Sequence, residues 1–262
     1  MPILEHEERV ARKPPKRTNV LHAPFANFTH ATLLVTVFEN LHELKPLTVA
    51  NAEPKIFVWN HQLNSDAITQ LAQKHLPTWM VENEVTKFSN KRRVERLSVR
   101  LILNQLLGAD AIIDYEESGR PFLTKHNIEI SISHTKNAYA VGLAMVRHGL
   151  DIEQWSNKAL KVKSMFVNDN EAKMLTSPTP LACTTEMAAT TLWSAKEAAY
   201  KLKSIAGLSL KQDIELTLLS DHLLEVYYPN NPPHKALIAY EQLETCVVTC
   251  CKNFWTHPIA LR

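Results

Sequence analysis

The chain has 262 residues, 45% of them hydrophobic and 21% charged, with a formal net charge of +2. That composition supplies a packed core for one large domain or two small ones. A balance so close to neutral excludes a globally basic nucleic-acid or membrane binder, so any cationic function must be local.

Residues 1–20 carry Arg9, Arg12, Lys13, Pro14, Pro15, Lys16 and Arg17 and read as a flexible basic tail. Glu5, Glu7 and Glu8 stand where a secretory signal needs an apolar core, and the apolar run at 31–38 is too short to cross a bilayer. A cytoplasmic protein with no membrane partner is the expectation. Periodicity predicts strands at 32–38 and 55–59, a helix over 65–75, and a long basic helix over 89–107 stopped by Gly108. Strands follow at 111–115, 127–133 and 138–146, the last two joined by a turn at Thr135-Lys136-Asn137.

After a break at Arg147-His148-Gly149, the second half reads as a short strand, helical segments at 158–166 and 168–175, and a helix through Glu197. Closing strands fall at 214–219, 223–228, 235–241 and 246–251. The pattern is that of an α+β chain of two similar halves, 21–146 and 149–262. Cys183, Cys246, Cys250 and Cys251 lack the paired spacing of a zinc site, so buried, reduced thiols are expected.

Chemistry concentrates in two short runs. In Gly149-Leu150-Asp151-Ile152-Glu153 an extended chain buries the two aliphatics and turns both carboxylates to one face. In the run from Trp193 to Lys201, Ala188, Leu192, Ala195, Ala199 and Leu202 form an apolar stripe, and Glu197 and Lys201 project from the opposite side. Three acids gathered at one point repel one another, and a hard cation such as Mg2+ relieves that repulsion. Each piece also has an ordinary reading. Ser194 with Glu197 spells a capping box, Glu197 with Lys201 an i,i+4 ion pair, and Asp151 with Glu153 a solvated strand edge. Helical spacing that runs back from Ser194 to Met187 argues against a helix start at Ser194. Further upstream, Arg92, Arg96 and Arg100 recur every four residues and form one basic stripe, either a solvated face or a phosphate contact.

In chain order these runs, together with Gly119-Arg120-Pro121 and Ile130-Ser131-Ile132-Ser133-His134-Thr135, resemble the motifs of the 4'-phosphopantetheinyl transferases of the surfactin-synthetase-activating type. The likeness covers residues 119–201 with every key position filled, and the stretch from Lys91 to Arg100 looks like that family's R-x-x-E-x-L-x-x-R helix. It implies two pseudo-symmetric halves, each a small antiparallel sheet packed with helices, with the active site at their interface. It also implies an enzyme that moves the phosphopantetheine arm of coenzyme A to a serine of an apo acyl or peptidyl carrier protein and releases adenosine 3',5'-bisphosphate.

By position, Asp151, Glu153 and Glu197 match the family's Mg2+ ligands, Glu197 and Lys201 its catalytic pair, and Arg92, Arg120, Ser133 and His134 its coenzyme A contacts. Three nearby acids raise a lysine's pKa, which favours a carboxylate or a metal-bound water as base and Lys201 as an electrostatic clamp. Val162, Met165 and Phe166 are candidates for carrier docking or, equally, for core positions. A monomer is expected. Two alternatives stay open: an inactive module that docks carrier proteins, and a nucleic-acid binder using the helix at 91–100.

Overall fold

The structure is a computed structural model that describes residues 33–45, 47, 53–176, 181–182, 184–230 and 232–253. The basic tail at 1–20 and Cys183 lie outside the described residues. The fold is mixed α+β, with a four-stranded sheet, a five-stranded sheet and a two-stranded ribbon.

The first sheet is built from β1 (Leu34–Phe38), β2 (Lys55–Asn60), β5 (Glu129–Thr135) and β6 (Ala138–Ala144), in the order β1-β2-β6-β5. The apolar run Ile56-Phe57-Val58-Trp59 is buried on both faces of β2, as an interior strand requires. β1 runs parallel to β2, a pairing that needs a crossover rather than a hairpin between them. This corrects the expectation of an antiparallel sheet, because only the other two pairings are antiparallel.

Helices α1 (Ser65–His75), α2 (Thr78–Lys87) and α3 (Asn90–Leu107) cover one face of this sheet. Leu97, Leu101 and Leu106 of α3 pack with Trp59, Val141 and Leu143, and Gly108, at φ 90°, ends the helix. Sequence periodicity missed α2, which starts after Pro77 and buries only Met80, Val81 and Glu84. The ribbon of β3 (Ile113–Tyr115) and β4 (Pro121–Leu123) carries Gly119 in its turn at φ 81°, and β4 was likewise not foreseen.

The second sheet is antiparallel throughout, in the order β7 (His148–Gln154), β11 (Cys246–Asn253), β10 (His234–Gln242), β9 (Leu223–Tyr228), β8 (Glu215–Ser220). Between β7 and the long helix α5 (Thr185–Lys203) lies α4 (Lys158–Lys161), followed by short 3-10 turns. Leu192, Ala195, Ala199 and Leu202 of α5 pack against Val226, Ile238 and Val247. Thr184 caps α5 by accepting from the Met187 N–H at 3.2 Å. Ser194 therefore lies inside the helix, bonded to the Thr249 hydroxyl at 2.9 Å, and starts no capping box.

A third apolar cluster joins the sheets: Ile56, Val58, Ala138 and Ala140 meet Leu150, Ile152, Val248 and Cys250. Cys246, Cys250 and Cys251 are free and buried, as expected. No described helix is long and apolar enough to cross a membrane.

Candidate active site at a seam of hydroxyls

The alternation Ile130-Ser131-Ile132-Ser133-His134-Thr135 sends three hydroxyls to one face of β5 and Ile130, Ile132 and His134 to the other. The hydroxyls line up against β7. Ser131 Oγ accepts from the Leu150 N–H at 2.8 Å, and Thr135 Oγ1 from the Gln154 N–H at 3.4 Å. Ser133 Oγ, between them, donates to Asp151 Oδ1 at 2.8 Å. The seam thus places Asp151 where the two sheets meet.

Helix α5 approaches this strand closely because Gly149 has no side chain. A Cβ there would lie 2.0 Å from the Ala198 carbonyl oxygen and 2.6 Å from the Leu202 nitrogen. The contact carries Lys201 onto β7, where its ammonium donates to Asp151 Oδ1 at 2.8 Å, Ser133 Oγ at 2.9 Å and the Leu150 carbonyl at 3.0 Å. The ion-pair partner of Lys201 is therefore Asp151 and not the Glu197 of the ordinary i,i+4 reading. Glu153 Oε1 accepts from the Trp193 indole N–H at 3.0 Å, which ties β7 to α5 a second time.

The acids do not balance. Asp151 is 4% exposed, and its second oxygen, Oδ2, has no hydrogen-bond partner among the described residues. Burial, and then the charge of Asp151, pushes the Glu153 carboxyl up to about 7. The same two causes raise the Glu197 carboxyl above its ordinary range. Crowded carboxyls with an orphaned oxygen have the chemistry of a hard-cation site. Among the described residues, no group of three or more His, Cys, Asp or Glu side chains is arranged to hold a metal ion.

A cavity of about 610 Å³ opens beside the seam, lined by Glu95 and Lys91 of α3, His134 and Lys136 at the β5–β6 turn, and Glu153 and Lys158 after it. His134 Nε2 lies 3.4 Å from Glu95 Oε2, which also holds Arg92 at 2.9 Å. Burial lowers the His134 pKa, and the charges of Arg92, Lys201 and Lys91 lower it further against the opposing pull of Glu95.

Two of the expected coenzyme A contacts stand elsewhere. Arg120 is buried in an ion pair with Glu129 at the far end of β5 from His134, roughly 16 Å away along an extended strand. Ser133 is consumed by Asp151 and Lys201. The basic stripe of α3 is mostly consumed too. Arg96 and Arg100 both bond the fully buried Glu84, at 2.5 and 2.6 Å, and Arg96 also stacks on Phe88 at 4.2 Å. Arg93 donates to Ser65 and to the Val85 carbonyl, which leaves Lys91 to line the cavity, while Arg92 lines a small pocket beside it with Arg96 and Arg100.

Phe166 is fully buried against Trp193, with ring centroids 5.1 Å apart, so the core reading holds for it. Met165 is 70% exposed and Val162 is also exposed. Sequence reasoning passed over Glu95, whose place in the R-x-x-E spacing was the available signal, and the zipper of Ser131 and Thr135, signalled by hydroxyls at every second position. Comparison with protein-family models and with curated proteins returns no match for this chain.

Proposed function

We propose that the protein is a 4'-phosphopantetheinyl transferase that moves the phosphopantetheine arm of coenzyme A onto a serine of an apo acyl or peptidyl carrier protein. The observation that carries this reading is the unbalanced cluster of Asp151, Glu153, Glu197 and Lys201 at the β5–β7 seam, beside a cavity of about 610 Å³. In this reading the two sheets and their helices are the pseudo-symmetric halves, and the seam is the cleft between them.

Asp151, Glu153 and Glu197 would hold Mg2+, and the orphaned Asp151 Oδ2 fits that role. Bound there, the ion supplies charge neutralisation for a diphosphate. The remaining chemistry belongs to the chain. Lys201, fixed by three hydrogen bonds, acts as an electrostatic clamp on the charge that develops during transfer. Glu197, whose carboxyl pKa burial and the charge of Asp151 raise, is the candidate base for the carrier serine proton. The serine oxygen bonds to the phosphorus that carries the pantetheine arm, and the phosphorus–oxygen bond to adenosine 3',5'-bisphosphate breaks. Met165 and Val162, set among Lys158, Lys161 and Lys163, offer an apolar and basic surface for an acidic carrier helix.

The test is intact-protein mass spectrometry of a panel of apo carrier proteins incubated with this protein, coenzyme A and Mg2+. Gain of one phosphopantetheine arm on at least one carrier is expected. No gain on acyl and peptidyl carriers alike, with a known transferase active on the same panel, would overturn the reading.

A further inference from the structure

The three acids of the seam are held in three different ways. Asp151 Oδ1 is fixed from two sides, by Ser133 and by Lys201, each at 2.8 Å, and the Glu197 side chain has no hydrogen-bond or ion-pair partner among the described residues. Glu153 has one partner there: its Oε1 accepts from the Trp193 indole N–H at 3.0 Å, and the same side chain lines the cavity. Trp193 stands one helical turn before Glu197 on α5, so this single bond holds the acid of the strand against the helix that carries the other acid.

The bond is not needed to keep β7 and α5 together. Their main chains already meet at Gly149, Lys201 donates to the Leu150 carbonyl, and Ser194 bonds Thr249 on the neighbouring strand β11. What the indole adds is the direction of one carboxylate, because a rigid ring with a single donor fixes one oxygen and leaves the other free for a ligand. The indole is held in turn by Phe166, whose ring meets it edge to face at 5.1 Å and 78°. Phe166 is fully buried, while Met165 before it and Val162 are exposed. The turn that joins them is tight: the Met165 N–H donates to the Val162 carbonyl at 2.9 Å, and the Phe166 and Val167 N–H groups both reach the Lys163 carbonyl, at 3.1 and 2.8 Å. Close-packed side chains transmit displacement, so a push on Met165 reaches Phe166 through the main chain and Glu153 through one ring contact and one hydrogen bond.

We propose that Trp193 is a positioning residue for Glu153 and that, through Phe166, it couples the surface at Met165 to the cation site, so that a carrier seated on that surface tightens the hold on the cation. This rests on the transferase reading and adds the route by which carrier docking reaches the reacting end.

The test is titration of Mn2+, a paramagnetic stand-in for Mg2+, into the full chain, with the free ion counted by electron paramagnetic resonance and thermal melts as the check on folding. Trp193→Phe keeps a ring against Phe166 and removes the N–H. It should bind Mn2+ about 10-fold more weakly, the loss typical of a group that orients a metal ligand. Glu153→Gln should lose as much, and the double variant no more than either. Losses that multiply in the double variant, no loss in Trp193→Phe, or a wild type that binds no Mn2+ would overturn the positioning role. An apo carrier that the wild type modifies should tighten its Mn2+ binding about 5-fold, and should do so neither in Met165→Ala nor in Phe166→Leu. Equal tightening in those variants, or none in wild type, would overturn the coupling. A chain that modifies no carrier overturns the transferase reading and the coupling with it, and the Mn2+ cycle still decides the role of Trp193.

Discussion

Two dense clusters of charge lie within this molecule, and they are built to opposite rules. Around Glu84, one carboxylate buried completely on α2 meets Arg96 and Arg100 from α3, with Phe88 and Tyr115 stacked against the Arg96 guanidinium. Around Asp151, Lys201 pairs with one carboxylate oxygen, the second oxygen has no hydrogen-bond partner among the described residues, and burial and the charge of Asp151 raise the Glu153 and Glu197 carboxyls. The first cluster has its donors and acceptors in step and holds helices together. The second leaves its acids crowded and only partly matched, an arrangement of the kind that clusters at functional sites.

The contrast is broken most directly at Asp151. Asp151→Asn keeps the side-chain shape and the bond from Lys201 but removes the charge that Glu153 and Glu197 feel. Transfer should fall by more than about 1,000-fold, since a metal-held charge contributes several kcal/mol to such a step. Stability in urea without Mg2+ should hold or rise. A clear fall in the urea midpoint would place Asp151 in the balanced class.

Glu84→Ala is the mirror experiment. Two guanidiniums are left buried without their carboxylate, which costs about 3–5 kcal/mol and should appear as a large drop in the urea midpoint. Wild-type stability in that variant would remove the distinction between the clusters.

Two of the lysines of α5, Lys196 and Lys201, sharpen the comparison within one helix. Lys201→Ala should lower kcat on the order of 100-fold, as loss of a group that acts on developing charge does, with coenzyme A affinity nearly unchanged. Lys196, fully buried, donates to the Leu210 and Ile214 carbonyls and to Glu171 at 2.7 to 2.8 Å, and Glu171 in turn accepts from the Leu216 N–H. Its loss should therefore appear in melting and not in the turnover of the folded fraction. Stopped-flow turnover and thermal melts on both variants decide the matter, and a reversed pattern would exchange their roles.

The smallest expected effect is a pH dependence from buried histidines. Burial holds His61 down to about 4 and lowers His148 below its ordinary 6.5. The unfolded chain therefore takes up these protons first. Their contribution is complete above about pH 6.5 and is lost as pH falls toward 4. Urea midpoints across that window should decline, and His61→Asn should flatten part of the decline.

Legibility from sequence follows the range of the interaction. The alternation of β7 and the stripe of α5 are local periodicities, so Asp151 and Glu153 on one face, and Lys201 opposite the apolar stripe, were legible from spacing alone. The apolar runs that became β2, β9 and β11 were legible for the same reason. The roles of Arg96 and Arg100 were not, because Glu84 lies on a different helix, and a stripe of arginines reads the same whether it meets solvent or a buried carboxylate. Helix α2 was missed because its one charged core residue makes the pattern look polar. The ion pair of Arg120 with Glu129 was not legible, because a motif fixes residue order but not the direction of a side chain. The ordinary reading offered Glu197 as the partner of Lys201, because spacing along one element is visible in sequence and the approach of Asp151 on a second element is not.

That approach depends on Gly149, and its effect is one of calibration. Strand β7 and helix α5 touch through their main chains, so the gap between acid and ammonium works as a mechanical stop and not as a balance of side-chain volumes. Exchanges among aliphatic residues such as Leu192, Val226 or Ile238 act behind that stop and leave the spacing of the site as it was. The core is thereby free to drift in sequence while the reactive geometry keeps its gauge. Position 149 alone bears the tolerance, and a single methyl group there would lift the helix and draw Lys201 off Asp151.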